Sequence, residues 1–367
     1  MNKLIIYLKN FDWVLLGAVL LLVCFGLVEI YSIALGRGAT DLFNFKKQLF
    51  FVGLGLIFLF IFAFLDFNYL KISSKYLYIL AVIFLAAVLI LGKTINGTKG
   101  WFNVLGLGLQ PVEFVKIILI ILLSYFFSSR AIKIRSVKQL VYSALLLLPL
   151  FFLTFIQPDF GSAVILFLIW LIMLAVAGFS KKFFLILLMI IIVGAASLWL
   201  FSFKDYQKQR ILTFINPHAD ILDRGYNASQ AIIAVGSGGL IGRGVGFGSQ
   251  SQLKFLPEAQ TDFIFAVVCE ELGFLGVSLI FLFFGIIFYR CLAATRKINN
   301  DFGIFIILGG VGLIFLEMFI NISMNIGILP IVGIALPFIS YGGSSIVSSL
   351  IMIGIMENII IKSKINY

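Results

Sequence analysis

The sequence predicts an all-α, polytopic membrane protein with about ten transmembrane helices, because long apolar runs recur along it. Of the 367 residues, 62% are hydrophobic and only 12% are charged, whereas a soluble protein carries about 25% charged residues. The apolar runs are about 17 to 25 residues long, which is the length that a helix needs to cross a bilayer. These features predict a single membrane domain over residues 1–367.

The predicted spans are the apolar runs that polar or charged segments bound on both sides. They cover residues 13–34, 48–65, 76–92, 111–127, 140–156, 160–178, 183–203, 262–290, 302–324 and 346–361. One long polar loop, residues 203–261, separates the seventh span from the eighth, and loops of this length tend to be functional or disordered. A helical-looking apolar stretch within it, residues 228–235, predicts that the loop folds against the bundle.

The net charge of +11 comes from lysine and arginine residues that lie between the apolar runs. When the N-terminus is placed in the cytoplasm, the cytoplasmic loops carry most of these residues, as the positive-inside rule requires. An even number of spans then puts both termini in the cytoplasm and the long loop outside. The same scatter argues against a nucleic-acid partner, because no basic patch with interleaved aromatic residues exists.

Residues 326–343 are apolar, but Pro330 and Pro337 interrupt them, so they do not predict a membrane-spanning helix. A full span here would also place Lys362 and Lys364 outside, against the charge rule. We expect a partly inserted, irregular segment. Irregular backbone at membrane depth must be covered by protein or face water, so this segment is expected to border a cavity.

Asp262 lies where the long polar loop enters the eighth predicted span. One interpretation is structural, because aspartate caps the free N–H groups of a helix start and suits the positive end of the helix dipole. The other is catalytic, because ionisable groups near membrane depth tend to be functional. Position alone leaves both interpretations open.

Another polar group precedes and opens the fourth predicted span. Glu113 and Lys116 are three residues apart, so on a helix they share a face and can form an ion pair. The pair either ties two helices together or faces a polar cavity and orients a substrate. Just before it, Lys99 and Trp101 place a cation and an indole at the membrane interface, where tryptophan is by default an anchor.

Asp159 joins two predicted spans through a very short outer turn. It is a suitable cap for the following helix, but on the predicted topology it also lies at the same outer level as Asp262 and Glu113. Three acidic groups at one depth, with Lys116 and Arg210 as cations, predict a polar site there. Further intramembrane acids, for which we expect only pairing between helices, are Glu270, Glu271, Glu317 and Glu357.

Residues 236–248 are rich in glycine. Exposed N–H groups in such a loop can cradle a phosphate, but no Walker sequence and no βαβ context accompanies them. The alternative is a tightly packed turn region, which glycine permits. On either interpretation Arg243 is placed to meet an anionic group.

The histidine and cysteine residues of the chain argue against several kinds of catalytic and metal site. The chain has one histidine, His218, which argues against a Ser-His-Asp hydrolase and against a histidine-rich metal site. Cys24, Cys269 and Cys291 fall in or at the ends of apolar runs, at spacings that fit no metal motif. We expect them to be small core residues rather than metal ligands or a disulfide framework.

The stretch from Asn321 to Ser345 combines Pro330, Pro337 and the sequence Ser-Tyr-Gly-Gly-Ser at 340–344. Other blocks with specific sequences are residues 110–116, 157–161 and 256–273. In this order, and over nearly the whole chain, these motifs resemble those of the SEDS (shape, elongation, division, sporulation) family.

Two details refine the resemblance. Residues 248–253 are more similar to elongation-type members of the family than to division-type members. Gln260 departs from the family, which more often has histidine before the Thr-Asp pair. The departure puts in doubt a proton role for position 260 but not for Asp262.

The resemblance implies a peptidoglycan glycosyltransferase that polymerises lipid II, a disaccharide-pentapeptide on undecaprenyl pyrophosphate, at the outer face of the bacterial cytoplasmic membrane. Asp262 would then be the general base. The implied partners are a class B penicillin-binding protein transpeptidase and other elongation-complex membrane proteins. A divalent cation, Mg²⁺ or Mn²⁺, is compatible with the chemistry, although no metal-ligand cluster is visible. The residues expected to bind or orient the substrate are Glu113, Lys116, Asp159, Lys99, Trp101, Arg210, Arg243, Glu258 and Ser340.

A lipid II flippase is the competing interpretation, because a many-span protein with acids at mid-depth can also move a lipid. Transporters often contain inverted repeats with paired broken helices, and we find no convincing repeat in this sequence. A scaffold that only recruits partners would leave Asp262 unexplained.

Overall fold

The computed structural model describes residues 3–36, 42–95, 97–104, 107–129, 136–189 and 224–365, and these residues are mostly helical. The helices are α1 (Lys3–Asn10), α2 (Trp13–Gly36), α3 (Phe43–Phe64), α4 (Phe67–Leu91), α5 (Pro111–Ser128), α6 (Val137–Ile156), α7 (Phe160–Val176), α8 (Arg224–Ser237), α9 (Ser249–Gln252), α10 (Ile264–Thr295), α11 (Asp301–Asn325) and α12 (Gly343–Ile365). The strands are β1 (Lys93–Ile95), β2 (Thr98–Val104) and β3 (Leu107–Leu109).

Among the described residues, 8 helices are long and apolar enough to cross a membrane, and α7 is a shorter apolar helix of 17 residues. The prediction of a polytopic helical membrane protein is confirmed. Each predicted span coincides with one of these helices except 183–203, of which the described part, to residue 189, is helical. The exact number of spans and the topology stay predictions, because residues 190–223 lie outside the described part of the chain.

Helices α3 and α4 begin at Phe43 and Phe67, earlier than the spans predicted to start at residues 48 and 76. Hydropathy assigns these first turns to loops, because they carry polar side chains. Asp66 explains the early start of α4, since its side chain accepts a hydrogen bond from the Asn68 N–H and caps the helix. Polar side chains therefore extend these helices beyond their apolar parts.

Helix α12 lies at the centre of the bundle. Of its most apolar window, 94% is buried, against 22% for α4. Close packing on α3 requires a small residue at Gly354, where a Cβ would overlap the Leu59 backbone. The buried Asn358 amide donates to the Ala63 carbonyl (2.6 Å) and accepts from the Phe67 N–H (3.2 Å). Helix α12 thus holds the α3–α4 turn by polar contacts as well as by packing.

Charged residues tie the N-terminal segment to α10 and α12 at one end of the bundle, which we term the Asp12 end. The Arg290 Nε donates to both carboxylate oxygens of Asp12 (2.9 and 3.1 Å), and the Asp12 N–H donates to Glu357. Lys362 pairs with Asp66 at the same end. Glu357 is therefore one of the intramembrane acids that joins separate elements, as expected.

The segment at residues 326–342 is irregular, as its prolines predict, and residues 336–340 are buried. Ile339 packs on α2 at Gly26, where an added Cβ would lie 2.7 Å from the Ile339 Cα atom. Val332 packs in the same manner on Gly161 near the start of α7. Protein covers this backbone, which is the condition for irregular chain at membrane depth.

Helix α10 is broken at Gly273, whose φ of 63° lies outside the helical region. The glycine-rich stretch fills the gap, because the N–H groups of Arg243 and Gly244 donate to the carbonyls of Glu270 and Glu271 (2.9 Å each). These N–H groups are therefore not free to cradle a phosphate. The structure supports the tightly packed turn rather than the anion loop.

The carboxylates of the two acids beside this break hold the same stretch. Glu270 accepts the N–H of Gln250 (2.9 Å). Glu271 accepts the N–H of Gly246 (2.9 Å) and the hydroxyl of Ser32 on α2 (2.6 Å). Both acids act as ties between elements, which is the role expected for them.

The three cysteines are free. Cys269 and Cys291 are buried, as expected for core residues. Cys24 is exposed on α2 instead, where a small, weakly polar side chain is compatible with an apolar surrounding.

Three short antiparallel strands in the order β1–β2–β3 lie between α4 and α5. In this detail the all-α prediction is wrong, because strands of three residues, such as β1 and β3, are too short for an alternating pattern to be visible. The Lys99 N–H of β2 donates to the Gln157 carbonyl (3.2 Å), so the sheet contacts the α6–α7 turn.

Replacing Gly26 by alanine is expected to destabilise the protein, because the new Cβ would overlap the Ile339 backbone. Overpacking of this kind costs about 1 to 3 kcal/mol. Gly17 on the same helix has nothing within 4 Å of an added Cβ, so Gly17→Ala is the matched control and should be neutral or slightly stabilising. Thermal unfolding in detergent measures both variants, and equal unfolding temperatures would contradict the packing of residue 339 on α2.

Candidate active site

Two backbone carbonyls just before α10 are fixed by the irregular segment. The Gln260 carbonyl accepts the Tyr341 N–H (2.8 Å). The Thr261 carbonyl accepts the Ser340 hydroxyl (2.7 Å), and the same hydroxyl oxygen accepts the Leu336 N–H (2.7 Å). Ser340, one of the residues expected to bind or orient the substrate, is buried and joins two parts of the site.

Helix α11 fixes the next carbonyl, that of Asp262. It accepts one hydrogen bond from the side-chain amide of Asn325 (2.9 Å) and one from that of Asn321 (3.1 Å). Asn321 also donates to the Ile334 carbonyl (2.7 Å). The two amides, which are fully buried, therefore hold the Asp262 backbone and the irregular segment together.

The carboxyl group of Asp262 is not used as a cap. Helix α10 begins with Phe263 as its N-cap residue and has no side-chain cap from that position. Among the described residues, no group donates a hydrogen bond to the Asp262 carboxylate, which faces Gly333 at 3.7 Å from an added Cβ. Burial, and then the negative charge of Glu258, raises the pKa of Asp262 to about 6.

Glu258 lies in the turn before Asp262, at a positive φ of 50°. Its carbonyl accepts the N–H groups of Thr261 (3.1 Å) and Phe263 (3.3 Å), so the turn is closed by its own backbone. Its carboxylate is exposed and accepts the Thr261 hydroxyl (3.0 Å). Glu258 therefore lies in the closed turn that immediately precedes Asp262.

Helix α3 holds the opposite side of this arrangement. The Gln48 side chain donates to the Ser340 carbonyl (3.3 Å) and accepts the Gly342 N–H (3.1 Å). The Asn44 amide donates to the side-chain oxygen of Gln260 (2.9 Å). Gln260, where the family more often has histidine, thus makes a contact within the framework of the site.

Lys116 lies between two carboxylates in the bundle. Its Nζ is 2.8 Å from Glu113 Oε1 on its own helix and 2.7 Å from Glu317 Oε1 on α11. Lys116 and Glu317 are buried. The Glu113–Lys116 pair predicted from spacing is confirmed, and the third member makes it a tie between α5 and α11.

The position of Glu317 connects this ion cluster to Asp262. Glu317 precedes Asn321 by four residues on α11, which places the two side chains on one face about 6 Å apart along the helix axis. The face of α11 that binds the Asp262 carbonyl through Asn321 is therefore the face that carries Glu317, one turn earlier.

Asp159 is the cap of α7. Its carboxylate accepts the N–H of Ser162 (3.0 Å), the hydroxyl of Ser162 (2.9 Å) and the side-chain amide of Gln110 (3.0 Å). The Gln110 N–H in turn donates to the Ser344 hydroxyl (2.8 Å). Asp159 is buried and caps α7, as the structural interpretation predicts, and its part in a substrate site stays a prediction.

Lys99 and Trp101 lie on β2, at the end of the bundle that holds Asp159 and Asp262. Both side chains are partly exposed. The Trp101 ring packs on Gly108 of β3, where an added Cβ would lie 3.3 Å away. Both residues are therefore accessible at the level of the site, but no described contact joins them to Asp262.

Arg243 is exposed and donates to the Ser249 hydroxyl (2.7 Å). Its backbone N–H donates to the Glu270 carbonyl. Glu270 follows Asp262 by eight residues, which is about two helical turns. Arg243 therefore lies further along α10 than Asp262, and its contact with an anionic group stays a prediction. Arg210 lies outside the described residues.

Sequence reasoning assigned no role in the site to Asn325, Glu317, Gln48 or Asn44. One signal was available, because Asn321 and Asn325 are four residues apart and put two amides on one face of an apolar helix. The contacts of Gln48 and Asn44 join elements that are distant in sequence, and no local pattern indicates them.

The fold and the site define a polytopic helical membrane protein in which the carboxyl group at the start of a broken helix accepts no hydrogen bond from the described residues. The family model for FtsW, RodA and SpoVE, described as "Cell cycle protein", matches residues 12–365. The chain therefore belongs to this family, which is the SEDS family that the motifs resemble.

Curated relatives align with nearly the whole chain. Stage V sporulation protein E of Bacillus subtilis (strain 168) is 36% identical over 95% of this chain and 96% of that protein. Peptidoglycan glycosyltransferase MrdB of Escherichia coli (strain K12) is 33% identical over 95% and 94%. Probable peptidoglycan glycosyltransferase FtsW of Geobacter sp. (strain M18) is 32% identical over 96% and 97%.

Solved structures share the fold. A chain from the structure described as "Structural coordination of polymerization and crosslinking by a peptidoglycan synthase complex" superposes with a TM-score of 0.82, at 28% identity, covering 97% of this chain and 98% of that chain. The crystal structure of the rod shape determining protein RodA of Thermus thermophilus gives a TM-score of 0.70, at 27% identity, with coverage of 95% and 96%.

Replacing Lys116 by methionine is expected to destabilise the fold, because Glu113 and Glu317 would face each other without a cation. Removing one partner of a buried ion pair costs about 3 to 5 kcal/mol. Adding Glu317→Gln should recover a large part of the loss, and Lys99→Met, which removes a partly exposed lysine, is the control. Thermal unfolding tests this, and a Lys116→Met variant with unchanged stability and no activity would instead support substrate binding by the cluster.

Proposed function

We propose that this protein is a peptidoglycan glycosyltransferase that polymerises lipid II. Relatives that match over nearly its whole length carry the name peptidoglycan glycosyltransferase. The observation that carries the catalytic part is the carboxyl group of Asp262, which has no donor among the described residues and a pKa raised to about 6. Such a group is available to take a proton.

In the proposed reaction Asp262 accepts the proton of the 4-hydroxyl of the acceptor N-acetylglucosamine. The hydroxyl oxygen attacks C1 of the donor N-acetylmuramic acid, and C1 inverts. The C1–O bond to the pyrophosphate breaks, and undecaprenyl pyrophosphate leaves with the electron pair. A carboxyl group with a pKa of about 6 is ionised at neutral pH and is a stronger base than an ordinary aspartate.

The leaving pyrophosphate requires positive charge nearby. Lys116 does not supply it, because two carboxylates already share its ammonium group. Lys99 is a suitable cation among the described residues, because it is partly exposed at the level of the site with Trp101. Arg210 stays a candidate from the sequence alone.

The proposal gives a structural role to three further residues, Glu113, Asp159 and Ser340. Their polar atoms are engaged by Lys116, by Ser162 and by Thr261, respectively. They therefore orient the helices and the segment around the substrate rather than contact it. Arg243 belongs to the same framework, because its backbone closes the break in α10.

A divalent cation fits the described residues only with help from the substrate. No group of three or more His, Cys, Asp or Glu side chains in the described part of the chain suits a metal ion. Mg²⁺, however, is commonly held by one or two carboxylates together with substrate phosphates. Glu258 beside Asp262 suits that arrangement, and an Mg²⁺ or Mn²⁺ ion bound there would neutralise charge on the pyrophosphate.

We place the site on the extracytoplasmic side of the bacterial cytoplasmic membrane. The opposite end of the bundle, the Asp12 end, carries Arg290, Lys362 and Lys364. Basic residues favour the cytoplasmic side, so Asp262 at the other end of α10 faces outward, where the sugar of lipid II is presented.

The role in elongation is proposed on narrower ground. Relatives named for sporulation, division and peptidoglycan synthesis match at 32% to 36% identity, so identity does not separate them. The proposal depends on residues 248–253, which resemble the elongation type. The partners it implies are a class B penicillin-binding protein and other elongation-complex membrane proteins, and the superposition with a chain of a peptidoglycan synthase complex supports such a partnership.

The flippase interpretation has one feature in its favour, the break in α10, because broken helices are typical of transporters. The glycine-rich stretch fills this break and satisfies its backbone groups. The break thus has a structural purpose without a transported ligand, and the polymerase is the better supported function.

Asp262→Asn is expected to lower the rate of lipid II polymerisation by about 10² to 10⁴, because an amide cannot accept the proton. The measurement is glycan-chain formation by purified protein, with its partner, on labelled lipid II in detergent. Asp301→Asn, which neutralises an exposed aspartate in the first turn of α11, is the control and should keep full activity. Full polymerisation by Asp262→Asn, or lipid movement in vesicles without chains, would reject the proposal.

The polymerisation rate is expected to fall as the pH drops through about 6, because Asp262 then becomes protonated and cannot act as a base. Glu258→Gln removes a negative charge that raises the pKa of Asp262, so the midpoint of this acidic limb should move to lower pH. The full pH–rate profiles of the wild type, Glu258→Gln and the control Asp301→Asn check this. A midpoint that does not move in Glu258→Gln would show that Asp262 is not the group that titrates.

A further inference from the structure

The first turn of α10 lacks a cap from its own N-cap residue. That residue is Phe263, which has no polar side-chain atom, although the carbonyl of Phe263 already accepts the Val267 N–H (3.2 Å). The first N–H groups of a helix have no partner within the helix. A partner for them inside this apolar bundle must come from another element.

Asn325, the last residue of α11, supplies one. Its side-chain oxygen accepts the Ala266 N–H (3.2 Å), and its side-chain nitrogen donates to the Asp262 carbonyl (2.9 Å). Residues 262 and 266 are four apart, so their N–H and carbonyl would bond to each other if the helix began earlier. The Asn325 amide is inserted between them in the manner of a peptide group, which is a known way to interrupt a helix.

We propose that Asn325 is a positioning residue that caps α10 in place of Asp262 and thereby keeps the Asp262 carboxyl group free for the reaction. This inference rests on the proposed function, in which Asp262 is the base. It makes the activity depend also on Asn325, which contacts neither the reacting atoms nor the Asp262 carboxyl group.

The consequence of losing Asn325 follows from the chemistry of capping. Aspartate is among the preferred capping residues, and without the inserted amide the Ala266 N–H is open to the Asp262 carbonyl or carboxylate. Either change draws Asp262 into the first turn. A carboxylate that accepts backbone N–H groups is stabilised in its ionised form, so it becomes a weaker base.

The side-chain chemistry at position 325 is specific. The asparagine amide offers a donor to the Asp262 carbonyl and an acceptor to the Ala266 N–H at once. Alanine offers neither. Aspartate keeps the acceptor, but it loses the donor and adds a negative charge near Asp262, which raises the pKa of that residue.

The chain contains a matched control in Asn358 on α12. Its amide makes the same pair of contacts, to the Ala63 carbonyl and the Phe67 N–H, and it is fully buried like Asn325. It lies near the Asp12 end, where Lys362 pairs with Asp66. Asn358→Ala removes an equivalent buried amide without touching α10.

The experiment measures kcat, KM for lipid II and the pH–rate profile of the intact protein, together with thermal unfolding. Asn325→Ala should lower kcat by about 10²-fold, the scale of a small misplacement at a reacting centre. Its KM should stay within a few-fold of the wild type, and its acidic limb should move to lower pH. Asn325→Asp, a nearly isosteric second variant, should move the limb to higher pH.

Asn358→Ala should lower the unfolding temperature and leave the pH profile in place. The inference is overturned if both Asn325 variants keep the wild-type limb, if both move it in one direction, or if Asn358→Ala moves it as Asn325→Ala does. An active Asp262→Asn variant would reject the proposed function itself. An inactive Asp262→Asn variant with unmoved limbs in the Asn325 variants would reject this inference alone.

Discussion

Backbone polar groups without a partner are not tolerated inside an apolar bundle, and this constraint shapes two irregular parts of the described chain. The break in α10 at Gly273 is completed by the glycine-rich stretch. The turn before α10 and the irregular segment at residues 326–342 complete each other, through the Ser340 hydroxyl and the Tyr341 N–H. The site forms where two non-helical segments meet, because each needs the other to satisfy its backbone.

The positions of the helices could be predicted from the sequence because hydropathy is local, whereas their ends and partners could not. The early start of α4 depends on one cap, Asp66, which hydropathy ignores. The Glu113–Lys116 pair follows from a spacing of three on one helix. Its third member, Glu317, is 201 residues from Lys116, and a single sequence contains no record of which helices are neighbours. The small sheet was missed for a different reason, since two of its three strands have only three residues and so no periodicity to detect.

The same difference between local patterns and distant contacts applies to the charged residues of the site. Sequence position grouped the basic residues by predicted depth, which made Lys116 and Arg243 equal candidates for binding an anion. In the structure Lys116 is neutralised by two carboxylates, and Arg243 is fixed two turns of α10 away from Asp262. Depth is a poor guide to availability, because a buried cation is costly unless it is paired. Exposure is the better criterion, and it retains Lys99 and Arg243 as candidates but not Lys116.

Asp159 and Asp262 show how a residue of one type, in one kind of position, acquires two roles. Both precede an apolar helix, and capping is an equally good explanation of each from the sequence. Asp159 accepts three hydrogen bonds from Ser162 and Gln110 and is thereby committed to the structure. Asp262 does not cap its helix, because the side-chain amide of Asn325 on α11 accepts the hydrogen bond of the Ala266 N–H at the start of α10. If Asp262 is the base, as proposed, its availability depends on this substitute cap. The substitute is invisible to any rule that considers one helix at a time.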